Sequence, residues 1–529
     1  MSDASEPTPK PNPRSRRWFL SGGVIAIGAL WASTSEIWRY AGAPTLSPTG
    51  NCGPLPDQTA APRAVQWEQF GGSINDWSGL SCTPIYGLVR VTRESDVLRA
   101  LAFARERNLP ITASGQRHSM GGQAFSRRGV VLEMRGLNQV WLDRDQQTVT
   151  AQAGATWTDI LATLDPQGLA VRSMQSYSVF TLGGSLSVNG HGISRDFGAI
   201  AETVRELRVL LANGKIVTAS PTQNADLFRH VLGGYGLFGI VLTATLNLTR
   251  NCLYEVKLHT LNARGFSEYR RQFLGDTTAV PLAYGRFSVA PGSGYMDALM
   301  IHEFHVVEID KKTALPPMNA ATNAAFVRFV LNFSKTGRVG RWLRWRAENA
   351  AGCRVDHGQT LSGRSGNCFV TRNTACDDST DYLYDRLNDS NLLQEYFVPA
   401  EYLPTFMDGL RKIVQETELN LVNVTLRLVS RDAITALPYA PRDMVALVLY
   451  VCEQRESAAQ GRLQEATLRL IELSTAGGGT FYLPYRLDYG MPQLRAAYPR
   501  IDDFFAAKRR HDPEERFTNH FYESYGNST

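Results

Sequence analysis

At 529 residues the chain exceeds one small domain and suits two or three. Apolar content of 43% and charged content of 20% belong to a globular protein with a substantial core. A net charge of +5, from 55 basic and 50 acidic residues, with no basic stripe interleaved with aromatics, excludes nucleic acid as the partner.

The N-terminus differs in kind from the rest. Residues 1–15 are rich in Pro and Ser, and Ser15-Arg16-Arg17-Trp18-Phe19-Leu20 leads into the apolar run Ser21–Ala32. A charged region ahead of an apolar core is the layout of an export signal. The paired arginines followed by Phe-Leu resemble the twin-arginine signal; an ordinary signal-anchor with basic flanks is the alternative. The run is short for a spanning helix, which needs about 20 residues. The resemblance implies the twin-arginine export machinery as a partner, folding and cofactor loading in the cytoplasm, and residence in the periplasm or on the outer face of the inner membrane. Residues 1–43 are thus expected to be signal or anchor, and residues 44–74 a linker.

Further along, Tyr86–Val91 reads as a strand and is followed by an amphipathic helix. Ser95 and Asp96 sit at its start, Val97, Leu98, Leu101 and Ala102 form its apolar face, and Asn108-Leu109-Pro110 ends it. Ile111–Ala113 begins the next strand, and Ile111–Phe125 holds a glycine-punctuated turn with a histidine inside it. Glycines there let backbone N–H groups approach an anion closely. Strands are expected at Gly129–Met134, Gln139–Leu142 and Thr148–Ala151, then a helix Thr156–Leu164 capped by Thr156. Val204–Leu211 and Ile216–Ala219 flank Asn213-Gly214, the preferred two-residue hairpin turn. A helical segment around Asp226 and Leu227 precedes the glycine run Gly233–Gly239, and Ile240–Leu248 closes this half. Residues 251–500 alternate long strands with helices and include a basic-aromatic segment, Phe326–Arg346. That segment reads either as a helix on a membrane surface or, preferred here, as a solvated helix packing its aromatics inward. Strands and helices mixed in this way predict an α+β protein.

Seven cysteines show no C-x-x-C, and Cys353, Cys368 and Cys376 cluster so that an oxidising compartment would allow one bridge among them. No His/Cys/Asp grouping has metal-ligand spacing, so no metal is expected.

Four segments reach a family together. They are Ser114-Gly115-Gln116-Arg117-His118-Ser119; Thr181-Leu182-Gly183-Gly184-Ser185-Leu186 with Asn189-Gly190-His191-Gly192; Gly233–Gly239; and the tail Asp512–Asn519. Their order and spacing resemble the FAD-binding domain of the vanillyl-alcohol oxidase/p-cresol methylhydroxylase (PCMH) superfamily, over residues 75–250 and 500–522. The resemblance implies a two-domain protein: a PCMH-type FAD-binding domain at 75–250, an antiparallel-sheet cap at 251–500, and a tail, 501–529, returning to the first domain. It implies FAD as cofactor, with Ser114 to Ser119, Gly183, Gly184, Ser185, Asn189, Gly192, Gly239, Ile240 and Asn519 at its site. His118 occupies the position of the histidine that covalently flavinylated members bond to the flavin 8α-methyl carbon. Ser178-Val179-Phe180-Thr181 lacks the cysteine of doubly linked members. No early G-x-G-x-x-G indicates a nicotinamide cofactor. His191 is expected to be a buried histidine satisfied by backbone groups.

Three cap segments, Gln394–Pro399, Asn423–Arg427 and Gly478–Arg486, look like the flavin-facing strands of sugar-lactone and alditol oxidases, decaprenylphosphoryl-ribose oxidase and sterol Δ24-reductases. Sugar oxidases carry Glu-x-Arg where this chain reads Thr425-x-Arg427. Arg427, Tyr485 and Arg486 are candidates to polarise a hydroxyl or stabilise reduced flavin, and Glu395 is the candidate base. The expected reaction is hydride transfer from a small-molecule or lipid-linked alcohol to flavin N5, with O2 or another acceptor. A C=C reductase and an exported binding protein that lost FAD remain the rivals.

Overall fold

The computed structural model describes residues 52–309, 315, 318, 324–351, 361–362, 368–375 and 389–526. The expected export signal, Cys353 and Cys376 lie outside them. Helices and sheets are mixed throughout, as an α+β protein requires.

A four-stranded sheet has the order Trp67–Phe70, Gly87–Arg90, Val130–Glu133, Ile111–Ser114. Its last three strands are parallel, so a crossover is needed, and helix Glu94–Glu106 supplies it. Asp96 lies at the third helical position and accepts from the backbone of Thr92 and Arg93. The helix therefore starts a residue earlier than expected. A second, antiparallel sheet is built on the long strand Ile240–Arg250, flanked by Val204–Leu210 and Thr148–Gln152. Its hairpin differs from the expected two-residue turn. Gly214 (φ +85°) donates to Leu211 and Leu211 to Lys215, which leaves three residues in the loop. Asn213 is not left-handed, and a type I′ turn needs both central residues to be so.

The third sheet has nine antiparallel strands in the order Leu361–Ser362, Cys368–Thr371, Leu253–Asn262, Ala298–Val307, Leu282–Phe287, Leu421–Val429, Met444–Gln454, Asp389–Val398, Thr480–Phe481. Helix Leu403–Glu416 buries Leu403, Phe406, Met407, Leu410, Ile413 and Val414, a helical stripe in which each residue contributes about 1.5–3 kcal/mol by leaving water. With helix Ser457–Ala476 it backs one face of this sheet. Gln394 points to that back face and donates to Thr467. The odd-numbered neighbours Leu393 and Glu395 face the opposite way, into the cavity described below.

The tail returns to the first sheet. Ile111 pairs in parallel with Phe517, and Thr112 donates to the Thr518 carbonyl at 2.7 Å. A buried ion pair, Lys508 to Asp512 at 2.6 Å, sets the turn from which this strand leaves. The sequence reading did not foresee the disulfide Cys52–Cys82, which staples the start of the described chain. Cys368 is also disulfide-bonded, while Cys252 and Cys452 are free thiols.

Candidate active site

One cavity of about 370 Å³ lies between the two halves of the fold. Its first wall is loop backbone. The strand Ile111–Ser114 ends in the turn Gly115–Ser119, in which Arg117 takes a left-handed φ of +58°. The Arg117 guanidinium turns back to the buried Glu133 carboxylate at 2.7 Å and anchors the loop. A Cβ at Gly115 would stand 2.1 Å from Thr181 Oγ1, so only glycine lets the first and second loops touch. Gly183 and Gly184 open helix Leu182–Ser187, and a Cβ at Gly183 would lie 2.9 Å from the Ala153 methyl. Tyr235, Gly236, Gly239 and Ile240 form the third edge of this wall.

His118 sits in the first loop, stacked on Trp77 at 4.1 Å with Phe180 edge-on at 4.5 Å. Its Nδ1 is buried with no hydrogen-bond partner among the described residues. Burial holds its pKa down to about 3, so the imidazole is neutral at physiological pH and its lone pair is available.

The second wall is strand. Arg427, Thr425 and Asn423 project from alternate positions of Leu421–Val429, beside Tyr284 and Arg286 of the neighbouring strand. Val448 lies between Thr425 and Glu395 in register. Arg427 donates to the His191 carbonyl at 3.3 Å and to Ser176 Oγ at 3.0 Å. Glu395 Oε1 lies 2.7 Å from His191 Nε2, both side chains almost wholly buried. Burial, followed by the Glu395 carboxylate, pushes the Tyr485 phenol well above its ordinary pKa, with Arg427 opposing. Tyr485 therefore stays protonated and is a hydrogen-bond donor at neutral pH.

Most of the residues named from sequence thus face one cavity: Ser114 to Ser119, Gly183, Gly184, Ser185, Gly239, Ile240, Glu395, Arg427 and Tyr485. Four are placed elsewhere. Arg486 pairs with Asp488 at 2.7 Å, away from the lining. Asn189 bridges Asp432 and the Ala201 amide. A Cβ at Gly192 would meet the Met174 carbonyl at 2.0 Å, so this glycine serves packing. Asn519 holds the third loop by donating to the Tyr235 carbonyl at 2.7 Å, and caps helix His520–Tyr525.

His191 corrects the expectation of a backbone-satisfied histidine. Neither ring nitrogen has an aligned hydrogen bond, and the carboxylate of Glu395 is its polar neighbour. Sequence reading also missed Arg286, Arg344 and Glu348, which line the far end of the cavity. Both arginines meet Glu348 Oε1 at 2.8 Å. Their one sequence signal is the i,i+4 spacing of Arg344 and Glu348. The basic-aromatic segment is two helices, Ala324–Lys335 and Arg338–Ala351, separated at Gly337 (φ +146°). Its polarity follows the expectation only in part: Phe333 and Trp345 are half-buried, but Trp342 is exposed and Arg344 points inward to its ion pair.

Away from the cavity, Asp226, His230 and His511 bring ligand atoms within 4.8 Å of one another, a grouping the sequence reading passed over. His511 Nε2 is 2.9 Å from Asp226 Oδ2, and His230 Nδ1 lies 2.7 Å from the Asp226 carbonyl oxygen.

The glycine loops and the neutral His118 thus face Glu395, His191, Arg427 and Tyr485 across one cavity, an arrangement able to admit a polyanion beside acid–base groups. Residues 86–220 match the FAD binding domain family. Over that stretch the chain resembles the FAD-binding domain of PCMH-type FAD-linked oxidoreductases. It is 36% identical over 156 residues to an oxidoreductase, ORF5 in the fasciation locus of Rhodococcoides fascians, a match covering 29% of this chain and 35% of that protein. It is 32% identical over 183 residues to cytokinin dehydrogenase 2 of Arabidopsis thaliana, covering 34% and 36%. The FAD-linked oxidoreductase hasG of Aspergillus fumigatus is 32% identical over 185 residues, covering 34% and 39%. The matches therefore span little more than a third of the length of these relatives.

Proposed function

We propose that this protein is an FAD-dependent oxidoreductase acting on a carbon that bears a hydroxyl group. The observation that carries the reading is the meeting, in one cavity, of the glycine loops and His118 with Glu395, His191, Arg427 and Tyr485. Bound FAD supplies the hydride acceptor, flavin N5, and passes the electrons to dioxygen or another acceptor. Loss of hydride from an alcohol carbon requires that the hydroxyl proton also leave. Glu395 receives that proton, and His191 Nε2 at 2.7 Å stabilises or relays it. Arg427 and the protonated Tyr485 favour the oxygen as negative charge develops on it.

The residues fit FAD. A Cβ on Gly236 (φ +74°) would meet no atom within 4 Å, so this glycine borders open space, and His118 keeps an unpaired ring nitrogen. We propose that FAD is held covalently through His118, a ring nitrogen bonding the flavin 8α carbon. Forming that bond releases two protons and two electrons, for which dioxygen is the acceptor. The test is to precipitate the purified protein with acid. Yellow colour stays in the wild-type pellet and is released from His118→Ala; free FAD from the wild type refutes the covalent link and leaves the fold untouched.

The proposed route to the periplasm, or to the outer face of the inner membrane, is twin-arginine export of the folded protein. Its support is the Ser15–Leu20 motif together with the Cys52–Cys82 disulfide, a bond that persists in oxidising compartments. Arg16→Lys with Arg17→Lys then leaves the precursor in the cytoplasm; unchanged export refutes this route.

A further inference from the structure

Helix Arg338–Ala351 has two unlike faces. Its inner face delivers Arg344 and Glu348 to the far end of the cavity, and Val330 and Leu331 of the preceding helix line the same end. Its outer face carries Val339, Trp342 and Leu343, with relative exposures of 66%, 42% and 45%. These are positions i, i+3 and i+4, one stripe of a helix. Of the eight exposed large apolar side chains among the described residues, three fall in this single turn, so the stripe is a patch and not a scatter.

The charges that the helix itself places beside the patch are of one sign. Arg338 and Arg346 are exposed at its two ends, and the Arg346 guanidinium lies 5.0 Å from the Trp342 ring centre. No acidic residue occurs from Arg338 to Ala347, and the next one, Glu348, is buried against the cavity. An apolar stripe with a tryptophan, rimmed by arginines, has the composition of a helix that lies in the headgroup layer of an anionic bilayer. A protein partner of ordinary surface would not call for this one-signed rim.

We propose that the outer face of helix Arg338–Ala351 docks on an anionic phospholipid surface, with Val339, Trp342 and Leu343 below the headgroups and the arginines among the phosphates. The helix lies over the far end of the cavity, away from the glycine loops, so docking presents that end to the lipid. An amphipathic alcohol borne by the bilayer is then the substrate class. This last clause rests on the oxidoreductase reading above; the docking itself does not.

The experiment uses the full-length chain with its FAD and vesicles of phosphatidylglycerol and phosphatidylcholine. Amide exchange over residues 338–346 slows on the order of tenfold on these vesicles, and does not slow on phosphatidylcholine alone or in high salt. Trp342→Glu with Leu343→Glu abolishes the slowing, whereas Trp141→Glu, an exposed tryptophan elsewhere, leaves it intact. Flavin absorbance per protein reports that each variant is folded. Unchanged exchange over 338–346 overturns the proposal even if the chain floats, because the leader alone then holds it. Slowing that survives in the double variant overturns it as well. Exchange reads docking without turnover, so a failed screen of lipid alcohols leaves docking standing, and failed docking leaves the redox reading standing.

Discussion

The two walls of the cavity are built on opposite principles. The loop wall, residues 113–119 with the second and third glycine loops, presents backbone, and its side chains mostly turn away to lock the loops together, as Arg117 does on Glu133. The strand wall presents side chains from alternate positions of hydrogen-bonded strands, and its backbone is satisfied within the sheet. A loop wall cannot accept a Cβ at Gly115 or Gly183 without moving its neighbour. A strand wall can exchange Thr425 or Asn423 and keep its backbone. The first design fixes one cofactor; the second leaves substrate chemistry open to change.

That contrast predicts which substitutions touch which property. The largest effect is expected at Glu395. Glu395→Gln keeps the shape of the strand wall and removes the proposed base, so turnover is expected to fall by about 10²–10⁴-fold while the flavin content, and the acid-stable colour proposed above, are retained. Flavin lost with activity would show that the walls are not separable. Next comes the support of the loop wall. Lys508→Met leaves Asp512 buried without its cation, which costs about 3–5 kcal/mol in a denaturant melt, with turnover per bound flavin unchanged. Arg427→Met lowers turnover by about 10²-fold, and its loss of the bond to the His191 carbonyl shifts the pH profile of kcat.

The smallest effect concerns His520, which packs beneath Gly122 of the first loop. Burial holds its pKa at about 4, below the ordinary 6.5, with Arg127 lowering it further and Glu523 opposing. As pH falls the unfolded chain takes up this proton first. The stabilisation is therefore complete above pH 6.5 and is lost as pH falls toward 4. His520→Asn flattens the decline of Tm over that window; an unaltered slope would assign the acid sensitivity to other groups.

The same contrast explains what was legible in the sequence. The glycine loops announce themselves because close approach demands glycine at fixed local spacing, and the strand-helix-strand run from Gly87 to Ser114 follows from periodicity alone. The alternation at Asn423, Thr425 and Arg427 was visible as well. Arg286 and Glu348 were not, since they meet only when a strand and a helix far apart in sequence pack together. Arg486 was misplaced for a related reason. Its neighbour Tyr485 faces the cavity, but both lie in the turn after the short strand Thr480–Phe481, where no strand period applies, and the Arg486 side chain goes to Asp488. His191 was undervalued because its partner lies some two hundred residues downstream.

The returning tail sets a clock on biosynthesis. Thr112 and Thr518, whose side chain and carbonyl are hydrogen-bonded, are 406 residues apart in sequence. At 5–20 residues per second a ribosome takes about 20–80 s to make that interval. Throughout that time the first sheet has an unpaired edge, and the first glycine loop lacks the helix that packs beneath it. The earliest part of the cofactor site to be translated is thus among the last to be finished.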